Sequence, residues 1–135
     1  MLFPSSILVV DDDAAVCAFM KCALEGRGYH VWTAHAGSDA LNVLAKYGHE
    51  FGLLVTDVVM PGTSGPKLAK TVRQLFPDLP VLYVSGYFDQ EDHVPPAACL
   101  SKPFTAVELW ERVQALLALE REGRRSDCDL LSAPA

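Results

Sequence analysis

Ile7-Leu8-Val9-Val10 is an unbroken apolar run cut off by Asp11-Asp12-Asp13. A strand with one wet face alternates apolar and polar residues. A strand apolar at every position is buried on both faces, which happens where helices cover a parallel sheet. Comparable runs recur at residues 29–33, 51–56 and 80–84, and more weakly at 97–100. Helical periods lie between them. Val16, Phe19, Ala23 and Leu24 share one face of a first helix, and Leu41, Leu44 and Ala45 one face of a second. Leu68, Val72, Leu75 and Phe76 mark a third, with Gly65-Pro66 at its start, and Leu109, Val113, Leu116 and Leu117 mark the last. Thr105 followed three residues later by Glu108 is a capping-box signature for that last helix. Five βα units in succession predict an α/β fold, a doubly wound five-stranded parallel sheet with right-handed crossovers.

The chain has 135 residues, enough for one domain, and its 11 basic against 17 acidic side chains give a net charge of −6. That charge repels phosphate backbones and anionic lipid, so neither nucleic acid nor membrane is expected as a partner. The first ten residues carry no basic n-region and no small-residue cleavage site. No run approaches the ~18 apolar residues of a spanning helix, which predicts a cytoplasmic chain. Cys17, Cys22, Cys99 and Cys128 form no CxxC pair and are expected to be free, mostly buried thiols. Residues 1–122 read as one domain. From Gly123 periodicity is lost, and 123–135 are expected to form a frayed tail.

In open α/β sheets, ligands bind outside the carboxyl ends of the strands. Strand one ends in Asp11-Asp12-Asp13, strand three in Asp57, strand four in Ser85 and strand five in Lys102. Any one aspartate could be a helix N-cap, and Asp13 is read as one. Asp57 is different, because the loop Val58-Val59-Met60-Pro61-Gly62 follows it and not a helix start. Clustered carboxylates repel unless a cation neutralises them, and hard oxygen donors suit Mg²⁺. An acid pair, a separate aspartate, a hydroxyl and an ammonium are the parts needed to take up a phosphoryl group.

The segments ILVVDDD (7–13), LLVTDVVMPGTSG (53–65), VLYVSGY (81–87) and SKPF (101–104), in this order and spacing, resemble the receiver domains of two-component response regulators. The resemblance covers about residues 7–119, and the wording of VLYVSGY and SKPFT is most similar to receivers of hybrid sensor kinases. It implies a flavodoxin-like receiver fold with strand order 2-1-3-4-5. It also implies that Asp57 is the phosphoacceptor, attacking a phosphohistidine of a histidine kinase or histidine phosphotransfer protein. Asp12 matches the direct Mg²⁺ ligand and Asp11 the partner that binds through water, with Asp57 itself and the backbone carbonyl of Val59 completing the metal set. Ser85 matches the hydroxyl that follows the phosphoryl group and Lys102 the lysine that pairs with it. The Lys102–Pro103 peptide is implied to be cis. The output would be a contact with a downstream protein that the sequence does not name.

Two departures stand out. Cys99 occupies the position, three residues before the lysine, where receivers carry Tyr or Phe, which puts the usual hydroxyl–aromatic coupling in doubt. The crossover 86–96 has eleven residues with Pro95-Pro96 at its end, so only a shortened fourth helix is expected there. Tyr87 reads as a half-buried loop aromatic or as a substitute gate. Two other functions stay open at this point: a degenerate receiver that binds without phosphorylation, and a haloacid-dehalogenase-like phosphatase using Asp11 and Asp13. The second leaves Asp57 without a role and lacks an acid pair after Lys102, because Glu108 and Glu111 fall on the last helix.

Overall fold

A computed structural model describes the backbone of residues 6–86 and 98–132, with side chains as far as residue 119. Its strands are β1 (Ser6–Val10), β2 (His30–Ala34), β3 (Phe51–Asp57), β4 (Val81–Ser85) and β5 (Cys99–Ser101). They form one sheet in the order β2-β1-β3-β4-β5, and every neighbouring pair is parallel. The helices are α1 (Ala14–Glu25), α2 (Gly37–Tyr47), α3 (Gly65–Leu75) and α4 (Ala106–Ser132), with a 3-10 turn at Gly48–Glu50. The expected shortened fourth helix and Tyr87 fall in 87–97, outside the described residues.

Successive residues of β1 serve opposite faces, as a strand covered on both sides requires. Leu8 and Val10 join Leu54, Leu44 of α2 and Leu68 and Val72 of α3. Ile7 and Val9 join Leu53, Val55 and Leu82 with Met20 and Leu24 of α1 and Leu109 and Val113 of α4. Each such fully buried aliphatic side chain contributes about 1.5–3 kcal/mol, so the two layers hold the sheet from both sides.

The helices differ from the sequence reading in phase. In α1 the buried residues are Cys17, Met20 and Leu24, while Phe19 is 44% exposed and stacks obliquely on Phe104, ring centroids 5.9 Å apart. Residues 14–20 are apolar throughout, so two adjacent stripes fit the period equally well. Asp13, whose carboxylate accepts from the Ala15 and Val16 N–H groups as N-cap, starts the helix in the phase that buries Cys17. In α2 the buried positions are Ala40 and Leu44, with Ala45 exposed. In α3, Leu75 is 58% exposed because the helix ends there. The capping box holds: the Thr105 N–H donates to Glu108 Oε1 at 3.1 Å, and the Glu108 N–H to Thr105 Oγ1 at 3.1 Å.

Two further expectations are corrected. Of the described cysteines Cys17 is buried, but Cys22 is exposed and Cys99 only partly covered; all three are free. The helix that begins at Ala106 runs on to Ser132, through the stretch from Gly123 expected to fray. A glycine inside a helix costs only ~1 kcal/mol, and no proline interrupts the sequence before Pro134, so losing the apolar stripe does not by itself end the helix.

Candidate functional site

Parallel pairing brings the carboxyl ends of β1, β3, β4 and β5 to one edge. Val10 is in register with Thr56, Asp57 with Val84, and Ser85 with Ser101. Asp11 directly follows β1 and is fully buried, Asp57 is the last residue of β3 and 7% exposed, and Ser85 ends β4 at 3%. Asp12 is exposed. One oxygen each from Asp11, Asp12 and Asp57 lies within 4.8 Å of the others, close enough to share one ion. A set of carboxylate oxygens around a partly open space fits a hard divalent cation such as Mg²⁺.

Lys102, just past β5, is the positive member. Its Nζ lies 3.0 Å from Asp11 Oδ2 and 3.5 Å from Asp57 Oδ1, so it sits nearer Asp11 than Asp57. Burial works against its charge, but the Asp11 hydrogen bond and the nearby carboxylates win and hold its pKa above the ordinary lysine value. Its own N–H donates to the Ser85 carbonyl at 2.8 Å, fixing the end of β5 against the end of β4 where Ser85 and Lys102 stand. The Lys102–Pro103 peptide is cis. Three carboxylates and one ammonium leave the cluster at −3 + 1 = −2.

Asp57 Oδ1 accepts from the Val58 N–H at 2.9 Å. Burial first, and then the charge of Asp11, push its carboxyl above the usual range, against the pull of Lys102 and the Val58 N–H. Gly65 begins α3 directly beneath: its N–H donates to the Val58 carbonyl at 2.9 Å, and a Cβ there would lie 2.2 Å from the Asp57 carbonyl oxygen. Only glycine lets α3 approach that closely. Val59 stands two residues beyond Asp57 with its side chain 69% exposed, in the loop leading to α3. Ser85 is buried and engaged.

Sequence reasoning missed two residues. The Cys17 thiol donates to the Asp11 carbonyl at 3.2 Å, and His35 Nδ1 meets the same oxygen at 3.3 Å. Burial and the charge of Asp11 push the Cys17 thiol up to about 11, so it stays protonated as a donor. His35 was within reach of the rule that picked the others, because it directly follows β2, the strand beside β1. Cys99 lies across from Tyr83, which is 3% exposed. In this pair of strands the ring is carried by β4. Burial raises the Tyr83 hydroxyl above its ordinary pKa, against a hydrogen bond and charge from Arg73. Glu108, set aside for a phosphatase because it falls on the last helix, is engaged there as part of the helix cap.

The response regulator receiver domain family matches residues 7–114. Over 118 residues the chain is 36% identical to the sensor kinase CckA of Brucella abortus (strain 2308), covering 84% of this chain but only 12% of that much longer protein. It is 34% identical over 116 residues to the response regulator receiver protein CpdR of the same organism, covering 82% of this chain and 95% of that one. The solved receiver domain of the hybrid histidine kinase CckA aligns with a TM-score of 0.72 at 35% identity, over 83% of this chain and 98% of that one. A CheY-like receiver domain protein of Methanospirillum hungatei JF-1 reaches 0.80 at 27% identity, over 88% and 98%. Receivers of this kind are signalling modules and not enzymes in the ordinary sense. With its sheet order, its strand-end acids and these likenesses together, the chain belongs to the response regulator receiver domains of two-component signalling.

Proposed function

We propose that this receiver takes a phosphoryl group from the phosphohistidine of a histidine kinase or phosphotransfer protein onto Asp57, in the cytoplasm, and signals by contact with a downstream protein. The observation that carries the reading is the convergence of Asp11, Asp12 and Asp57 within 4.8 Å, with Lys102 beside them. Asp12, Asp11, Asp57 and the Val59 carbonyl would hold Mg²⁺, which when bound supplies Lewis-acid stabilisation of phosphoryl oxygens. An Asp57 carboxylate oxygen attacks phosphorus as the phosphorus–nitrogen bond to the donor histidine breaks, and the imidazole leaves with that electron pair. The Val58 N–H, which donates to Asp57 Oδ1, orients the carboxylate for this attack. Lys102 supplies a point charge to the transferred group, and the Ser85 hydroxyl a hydrogen bond. Beside Lys102 a recess of about 450 Å³, lined by Ala15, Val16, Phe19, Pro103 and Phe104, offers apolar surface on which the donor's protein part would rest.

The test is intact-mass measurement after incubation with acetyl phosphate and Mg²⁺. One phosphoryl group per chain is expected, lost with EDTA and lost in Asp57→Asn. Label that survives in Asp57→Asn and depends on Asp11 overturns the reading.

A further inference from the structure

We propose that His35 is a positioning residue for the acid pair, holding the Asp11–Asp12 peptide in the orientation that turns both carboxylates toward one cation. The inference rests on the phosphoacceptor reading of the same site and concerns a side chain outside its metal and phosphoryl set.

Every polar group of Asp11 is engaged. Its N–H donates to the Ala34 carbonyl at 3.1 Å, and its carboxylate accepts from the Asp13 N–H at 2.9 Å and from Lys102 at 3.0 Å. Its carbonyl receives the Cys17 thiol at 3.2 Å and His35 Nδ1 at 3.3 Å. A carbonyl has two lone-pair directions; the imidazole meets one, and the single thiol proton of Cys17 is shared between the other and the Ala34 carbonyl at 3.7 Å. The acceptor settles the tautomer, because a carbonyl cannot donate and Nδ1 must therefore carry the proton, in a neutral or a charged ring alike.

This carbonyl belongs to the peptide plane that joins the two acids. Its rotation is ψ of Asp11 and φ of Asp12, so it sets where the exposed Asp12 side chain points relative to the buried Asp11. Without a cation the two carboxylates repel, and the low-cost escape is to swing that plane and turn the Asp12 carboxylate away from Asp11. Cys17 alone is a weak restraint, since a thiol is a poor donor. The imidazole is the stronger donor and comes from a different segment, the turn after β2, so it ties the plane to a neighbouring strand. Removing such an outer partner typically weakens metal binding by ~10–100-fold.

The test compares His35→Ala, His35→Asn and His35→Gln. The Asn amide places an N–H where Nδ1 stands, whereas the Gln amide corresponds to Nε2. In Mg²⁺ titrations the Ala variant is expected to bind about tenfold more weakly, the Asn variant to recover most of that loss and the Gln variant to recover little. Because His35 is exposed and contributes one hydrogen bond there, all four proteins should fold, with metal-free melting temperatures within a few degrees of one another. Nitrogen NMR of the metal-free protein at pH 8 should find the His35 proton on Nδ1. The proposal is overturned by wild-type affinity in His35→Ala, by equal recovery with Asn and Gln, or by a proton on Nε2. A wild-type chain that binds Mg²⁺ yet accepts no phosphoryl group overturns the acceptor reading instead and leaves the His35 comparison standing.

Discussion

The two ends of the sheet are built on opposite principles. At the carboxyl end stand three acids and one lysine, with Asp11, Asp57 and Lys102 held by directional contacts: backbone N–H groups on Asp11 and Asp57, and an ammonium shared between them. At the amino end the contacts are aromatic. Trp32 of β2 packs on Tyr47 and Phe51 with centroids 5.1 and 6.0 Å apart, and His49 meets Phe76 edge-on at 5.9 Å. Each end also contains a glycine with no room for a Cβ. At Gly48 the added atom would meet Phe76 Cζ at 2.0 Å, and at Gly65 it would meet the Asp57 carbonyl oxygen at 2.2 Å. A ring can tip aside, but a strand carbonyl cannot. Damage at the amino end should therefore appear as lost stability, and damage at the carboxyl end as lost stability and lost chemistry together.

Gly65→Ala is the hardest test of that contrast. Overpacking against backbone should cost about 3 kcal/mol in denaturant melts and, by displacing Asp57, cut phosphoryl uptake at least tenfold in the fraction that remains folded. Full uptake in a merely destabilised variant would break the distinction between the ends. Gly48→Ala should cost less, about 1–2 kcal/mol, since Phe76 is partly exposed and can rotate outward, and its Mg²⁺ affinity should equal that of the wild type. A changed affinity would mean that the ends communicate.

The smallest effect has the opposite sign. The folded state raises the Asp57 carboxyl above its ordinary value of 3.8, so the native chain holds that proton more tightly than the unfolded one. Stability therefore falls as pH climbs above about 3.8, and the loss persists at neutral pH. Asp57→Asn removes that loss. In EDTA at pH 7 it should melt above wild type, with the difference shrinking as pH falls toward 3.8. Equal melting at pH 7 would show that Lys102 already compensates the buried charge.

Most of this frame was legible because apolar runs end in polar residues. Wherever a run stopped, at Asp11, Asp57, Ser85 or Lys102, a strand end stood within two residues, and parallel pairing brought those ends to one edge. Phase was harder to read. Phe19 was expected inside and lies outside, because in a helix segment apolar all round the cap, not the period, decides which stripe turns inward. Contacts between segments distant in sequence were less legible: the strand-end rule reaches His35 as a candidate, but not that its ring meets the carbonyl of Asp11, 24 positions away. The bulk that receivers place at the Cys99 position also has a neighbour that only strand register reveals, Tyr83. The helix beyond Gly123 went unread because periodicity reports burial, and a helix can continue without it.

The residual charge of the carboxylate cluster sets an order of arrival. The cluster carries −2 within a chain of net charge −6, and every phosphodonor presents an anionic group. If Asp57 accepts a phosphoryl group as proposed, the field of that −2 would turn an anionic donor away over a range of about 10 Å, the screening length in dilute salt, until a divalent cation cancels it. Cation first and donor second is therefore the expected sequence for the proposed transfer. A small anionic donor should gain from added inert salt, which thins the chain's own negative atmosphere, while a protein donor that brings basic residues to the rim of the site should lose by it.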